Sequence, residues 1–163
     1  MAVATTNAFS GPFTANGSTT IFPFTFTVLS GNDVTVALRD AEGVETTVSA
    51  NDYAVTLTGD APSAGSVVFD TAPVAGYTVW LYLDPAFTQE TEFVDGHPFI
   101  AGAVNNANDR AALRDQVLRR DVDRALVVPI GEAGIAFPTA SERAGKYLMF
   151  DADGAAQMDD PDN

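Results

Sequence analysis

Thr20-Ile21-Phe22-Pro23-Phe24-Thr25-Phe26-Thr27-Val28 is the stretch that decides the fold class. Phe22, Phe24, Phe26 and Val28 alternate with Thr25 and Thr27 at a period of two residues. Successive side chains of a strand point to opposite faces, so this run gathers its large apolar groups on one face, whereas a helix would scatter them. The reading is a half-buried strand whose aromatic face needs a second surface to cover it.

The same alternation recurs on both sides. Phe9 to Thr14 reads as an edge strand broken by Gly11-Pro12. Val34, Val36 and Leu38 form one further run, Tyr53, Val55 and Leu57 another, and Ser66 to Phe69 a third. Tyr77, Val79, Leu81 and Leu83 form the last, with Trp80 and Tyr82 on its other side. Turn residues separate the runs at Asn16-Gly17, Ser30-Gly31-Asn32-Asp33, Glu42-Gly43, Gly59-Asp60, Pro62–Gly65 and Pro73–Gly76. Short strands at this spacing predict a mainly β module over residues 1–96, an Ig-like antiparallel β-sandwich of seven strands.

The texture changes after Gly96. Pro98 suits the first turn of a helix, where its missing N–H costs nothing. From Phe99 to Leu126 only Gly102 interrupts a run dominated by Ala, Leu, Arg and Gln, and Pro129 ends it. Residues 97–128 are therefore read as one long α-helix, a rod of roughly 40 Å. Residues 129–163 form a short C-terminal extension or connector. In it Tyr147-Leu148-Met149-Phe150 looks like a strand, and the acidic stretch from Asp151 to Asn163 is expected to be flexible by itself.

On a helical wheel Ile100, Val104, Ala107, Ala111, Leu118, Val122 and Ala125 share one stripe, and Val104, Ala111, Leu118 and Ala125 repeat at seven residues. Alanine contributes little area, so the stripe needs a partner surface, and it is the expected oligomerisation face. Leu113 and Val117 lie opposite, flanked by Arg110, Arg120 and Arg124, as the expected docking face for a sandwich or another protein.

Acids outnumber bases 22 to 8, a net charge of −14. Residues 1–100 hold eleven acids against Arg39 alone, net −10. Such a field repels phosphate, so neither nucleic acid nor an anionic membrane is an expected partner. There is no cysteine, hence no thiolate metal site or nucleophile. The start, Met1-Ala2-Val3-Ala4-Thr5-Thr6, lacks the basic and apolar regions of a signal peptide, and no apolar run approaches the ~20 residues of a membrane span. Synthesis in a cytoplasm and a soluble product are expected.

No enzyme is expected and no cofactor. His97, the single histidine, has no companions for a metal or a nucleophile relay and reads as a capping or surface residue. Asp151-Ala152-Asp153-Gly154 lacks the full spacing and closing Glu of a calcium loop and reads as an ordinary turn. Glu90 and Glu92 would stand about 6–7 Å apart on one strand, a separation open to glycoside hydrolysis, but no sugar cleft accompanies them. The arginines from Arg110 to Arg124 alternate with Asp109, Asp115, Asp121 and Asp123, a solvated helix face rather than a nucleic-acid patch.

Ile21-Phe22-Pro23-Phe24-Thr25-Phe26 followed by Asn32-Asp33-Val34-Thr35-Val36 resembles the opening of the N-terminal, virion-proximal domain of bacteriophage T7-like tail fibre proteins. The likeness continues through Asn51-Asp52-Tyr53-Ala54-Val55, Ala72-Pro73-Val74-Ala75-Gly76 and Phe87-Thr88-Gln89-Glu90-Thr91-Glu92-Phe93. Pro98-Phe99, Asp109-Arg110, Gln116, Arg124-Ala125, Arg143, Lys146 and Phe150-Asp151 with Gly154 extend it over most of the chain. The resemblance implies a virion structural protein of the tail, a homotrimer, that attaches a host-recognition fibre to other tail proteins such as a tube, adaptor or hub. Because the sequence stops at Asn163 with neither shaft nor tip, a separate distal receptor-binding protein is expected, or else a role as adaptor, collar or short fibre. The rival reading is a carbohydrate-binding or adhesin-type sandwich touching the host surface through exposed aromatics such as Trp80 and Tyr82.

Overall fold

The computed structural model describes residues 3, 5–88, 92, 100–125, 139–152 and 156–159. They fall into two compact units, Met1–Asp123 and Arg124–Asn163.

The first unit contains seven strands: β1 (Phe9–Thr14), β2 (Ile21–Val28), β3 (Val34–Arg39), β4 (Glu45–Thr47), β5 (Tyr53–Leu57), β6 (Ser63–Phe69) and β7 (Thr78–Leu83). They form a four-stranded sheet in the order β1-β7-β3-β4 and a three-stranded sheet in the order β2-β6-β5. Every pairing is antiparallel. The two sheets share one core. Phe22, Phe24, Phe26 and Val28 enter it from β2, Val67 and Phe69 from β6, Val34 and Val36 from β3, and Val79, Leu81 and Leu83 from β7. The alternation read from sequence therefore assigns faces correctly along β3 and β7 and over Ile21 to Phe26 of β2, whereas it assigns none to the run from Ser66 to Phe69.

The order of strands corrects the immunoglobulin-like expectation. In the constant-type immunoglobulin sandwich the first, second, fourth and fifth strands share a sheet. Here the first and fourth lie in one sheet and the second and fifth in the other. Alternation fixes which side of a strand is wet, but it carries no information about which strand lies beside it. The strand β4 gives no signal at all, being three exposed polar residues paired to Ala37, Leu38 and Arg39.

The C-terminal end of β2 breaks its own period, because Phe26, Thr27 and Val28 are all buried. The reason lies outside the sheets. The helix α1 (Ala101–Val122) and the segment preceding β1 cover this end of the sandwich. At 22 residues α1 is about 33 Å long, shorter than the expected rod. Asp123, Arg124 and Ala125 already leave the helix, ahead of the poor helix formers Val127-Val128-Pro129. Pro98, Phe99 and Leu126 lie outside the described residues, as does His97.

The second unit holds a short helix, α2 (Ala140–Arg143), and a hairpin of β8 (Tyr147–Phe150) with β9 (Ala156–Asp159). Thr139 caps α2: its backbone N–H and its hydroxyl both donate to Glu142 Oε2, at 2.9 and 2.7 Å. That hydroxyl first, then the backbone N–H, holds the Glu142 carboxyl below its ordinary pKa. The strand β8 stands where the sequence suggests. The strand β9 corrects the expectation of a flexible stretch after Asp151: Met158 pairs opposite Leu148, and Gln157 Nε2 donates to Asp151 Oδ2 at 2.7 Å.

Candidate interaction faces

Ala, Leu, Arg and Gln favour the helical conformation along α1, and Arg119 and Arg120 in its last turn complement the negative end of its dipole. On the side facing the sheets, Leu113 and Val117 are buried and join the sandwich core. Arginines clip this side down. Arg120 Nη1 donates to Leu83 O at 2.8 Å, and its guanidinium lies 5.8 Å from the Tyr82 ring centre. Arg114 Nε donates to Ala86 O at 2.8 Å and its Nη2 to Thr88 O. Arg110 Nη1 stands 3.5 Å from Asp33 Oδ1. Asp33 is itself buried and locked in a tight turn, where its Oδ2 accepts the Ser30 N–H at 2.9 Å.

The N-terminal segment is stitched into the same seam. Gln116 Nε2 donates to Thr5 O at 2.6 Å, and the Thr5 and Thr27 hydroxyls are 2.8 Å apart. Asp109, also buried, accepts the Val3 N–H at 3.4 Å through Oδ1. Asp109 and Gln116 lie outside the docking face that the sequence suggests, because a polar group on a helix looks solvated until the covering segment is known. The docking face read from sequence is thus met by this chain's own sandwich through Leu113, Val117, Arg110 and Arg120. Arg124 lies past the helix and is exposed.

The opposite side of α1 carries the stripe. Leu118 and Val122 are 52% and 54% exposed, which is high for such residues on a helix, and Ile100, 65% exposed, precedes the helix as its N-cap with extended backbone rather than standing on the stripe. Ala111 is exposed, Val104 and Ala107 are half-buried, and Ala125 lies exposed beyond the last turn. Charges beside the stripe neutralise one another, as Arg119 Nε and Asp123 Oδ1 do at 2.8 Å.

Trp80 and Tyr82 lie on the outer face of the four-stranded sheet, half-buried rather than open. The Arg39 guanidinium sits 5.1 Å from the Trp80 ring centre and pairs with Glu45 Oε2 at 2.8 Å, while Tyr82 Oη donates to Glu45 Oε1. Phe9 packs against Trp80 with ring centres 6.0 Å apart. Among the described residues no three His, Cys, Asp or Glu side chains gather as a metal site, and no helix is long and apolar enough to cross a membrane. Glu92 is exposed, while Glu90 lies outside the described residues, as do Asp153 and Gly154.

A sandwich with one helix docked on it leaves a row of apolar side chains facing outward. No protein-family model matches the chain. It is similar to the tail spike protein of Salmonella phage epsilon15, with 31% identity over 118 residues, or 72% of this chain and 11% of that protein. The match is thus to a phage tail protein, a spike rather than a fibre, and the chain spans about a tenth of its length.

Proposed function

We propose that this chain is the anchoring domain of a tail fibre or tail spike, a non-catalytic virion component that ties a host-recognition protein to the phage tail. The observation that carries the reading is the two-faced helix. Its inner face is consumed by the sandwich, and its outer face keeps Leu118 and Val122 exposed in the row where a coiled-coil seam would run. Three copies related by a threefold axis bury that row against one another, while the sandwiches stand outside and meet the tail tube, adaptor or hub. The distal tip is carried by a separate receptor-binding protein or by a longer form of the chain. The similarity to a phage tail spike supports the setting. The adhesin reading is the weaker one, because Arg39 and Glu45 already cover the aromatic groups that would stack on a sugar.

Light scattering of the purified chain is expected to give about three times its 17.1 kDa mass at micromolar concentration. Leu118→Glu combined with Val122→Glu should return it to a monomer that still folds, since neither side chain is in the core, and that melts below the trimer because association stabilises the folded state. A monodisperse monomer in the parent chain ends the trimer. An antibody to the chain should label the tail of the phage that encodes it, and labelling confined to the head would refute the anchoring role.

A further inference from the structure

A sheet edge offers unpaired N–H and C=O groups to any passing strand, and proteins usually guard such edges. Of the four edges of the sandwich's two sheets, three are guarded among the described residues. In β2, Pro23 has no N–H to offer, Thr25 N–H donates to Ser10 Oγ at 3.1 Å, and Thr27 N–H donates to Thr5 Oγ1 at 3.2 Å. In β1 the register shifts between Ser10 and Phe13, at Gly11-Pro12. The strand β4 is three residues long and begins with Glu45, which is held by Arg39.

The fourth edge, β5, reads Tyr53-Ala54-Val55-Thr56-Leu57, with no charge, no proline and a regular register against β6. Asp70 N–H donates to Asp52 O at 3.0 Å and Thr58 N–H to Ala64 O at 2.9 Å. Antiparallel bonding alternates, so Ala54 and Thr56 turn their backbone groups toward β6 while Tyr53, Val55 and Leu57 turn theirs outward. Among the described residues no backbone bond meets those outward groups. Beside them runs a groove of about 440 Å³, with Gly31, Asn32, Val34 and Thr35 on one wall and Tyr53 to Val55 on the other.

We propose that β5 receives an extended, basic segment of another protein as a fourth strand of its sheet. The charge of the site selects the occupant. Asp52 opens β5, Asp60 follows it, and Asp84 accepts the Thr35 hydroxyl at 3.0 Å on the opposite wall. Arg39, the only base in residues 1–100, is spent on Glu45. A second copy pairing β5 to β5 would bring two regions of net charge −10 together, whereas a strand flanked by lysine or arginine is attracted. Backbone bonds supply the affinity, and the flanking cations supply the selection.

The test uses the isotope-labelled full chain and a six-residue synthetic peptide of alternating valine and threonine with a lysine at each end. The expected result is amide shifts confined to Tyr53, Val55, Leu57 and the groove wall. Hydrogen exchange at those three amides should slow at least about tenfold, and a glutamate-flanked twin should bind at least about tenfold more weakly. Val55→Pro removes one edge donor and should abolish the response of the remaining two amides. If that variant fails to fold, the exchange pattern of the parent chain decides alone. No response to the lysine peptide at millimolar concentration overturns the proposal, and so does an equal response to the glutamate twin. Shifts of the same amides with protein concentration, peptide absent, would name a second copy as the occupant and equally overturn it.

Discussion

Gly65 sits in the central strand of the three-stranded sheet, opposite Phe24 on one side and Leu57 on the other. A Cβ placed there would come within 2.9 Å of Phe24 Cζ and 3.1 Å of Leu57 Cα. The Thr56 carbonyl oxygen stands closer still, so moving the ring cannot relieve the clash and the strands must part; Gly65→Ala is expected to cost about 1–3 kcal/mol of unfolding free energy in a urea titration. A cost under about 0.5 kcal/mol would show that the strands spread freely. Tyr53 poses a different problem. Its hydroxyl donates to Val34 O at 3.0 Å, and burial, followed by the Asp84 carboxylate, raises its pKa above the ordinary 10.0. The folded state thus prefers the neutral phenol. Its stabilising share is whole below pH 10.0 and is lost as pH climbs through the raised value. Thermal melts between neutral and strongly alkaline pH should therefore show the parent and Tyr53→Phe converging above that point. Parallel curves would mean that Tyr53 titrates alike in both states.

At the scale of the element, α1 is where sequence and structure meet most informatively. Its two opposed apolar faces were legible from periodicity, because 3.6 residues per turn sort Leu113 and Val117 away from Leu118 and Val122. A sandwich was one of the two covers expected for the inner face, but which of its residues form that cover was not legible. The cover comes from residues 26–28, 33, 83–88 and the segment around Thr5, and contacts across such separations leave no local pattern. The same limit hid β4, whose polar residues pair only because β3 lies beside them, and β9, which depends on β8. Strand neighbours were hidden for a related reason, since every sandwich topology satisfies the same alternation. The docked face gives its own prediction. Leu113 is fully buried, so Leu113→Ala should cost about 2–5 kcal/mol and lower the melting of sandwich and helix together. If helix signal is lost at a lower temperature while the aromatic core signal stays at the parent's midpoint, α1 is an appendage and not part of the core.

For the whole molecule, charge and apolar surface are separated in space, and the separation dictates how copies can approach. Residues 1–100 carry a net charge of −10, whereas residues 101–125 hold four acids and five bases, a net charge of +1. Like copies therefore repel through their sandwiches and meet most cheaply along α1, where the exposed row also lies. The proposed association through that row is apolar and should gain from salt, because screening removes the repulsion and leaves hydrophobic burial intact. Between about 0.01 and 1 M salt the screening length falls from about 30 to about 3 Å, enough to silence one sandwich to its neighbour. Sedimentation equilibrium should then show self-association strengthening at least about tenfold, or 1.4 kcal/mol, across that range. A basic strand on β5 must behave in the opposite way and weaken, since its attraction is the charge that salt removes. Self-association that weakened with salt would mean that ion pairs hold the copies together, and the outward row of α1 would lose its claim to be the seam.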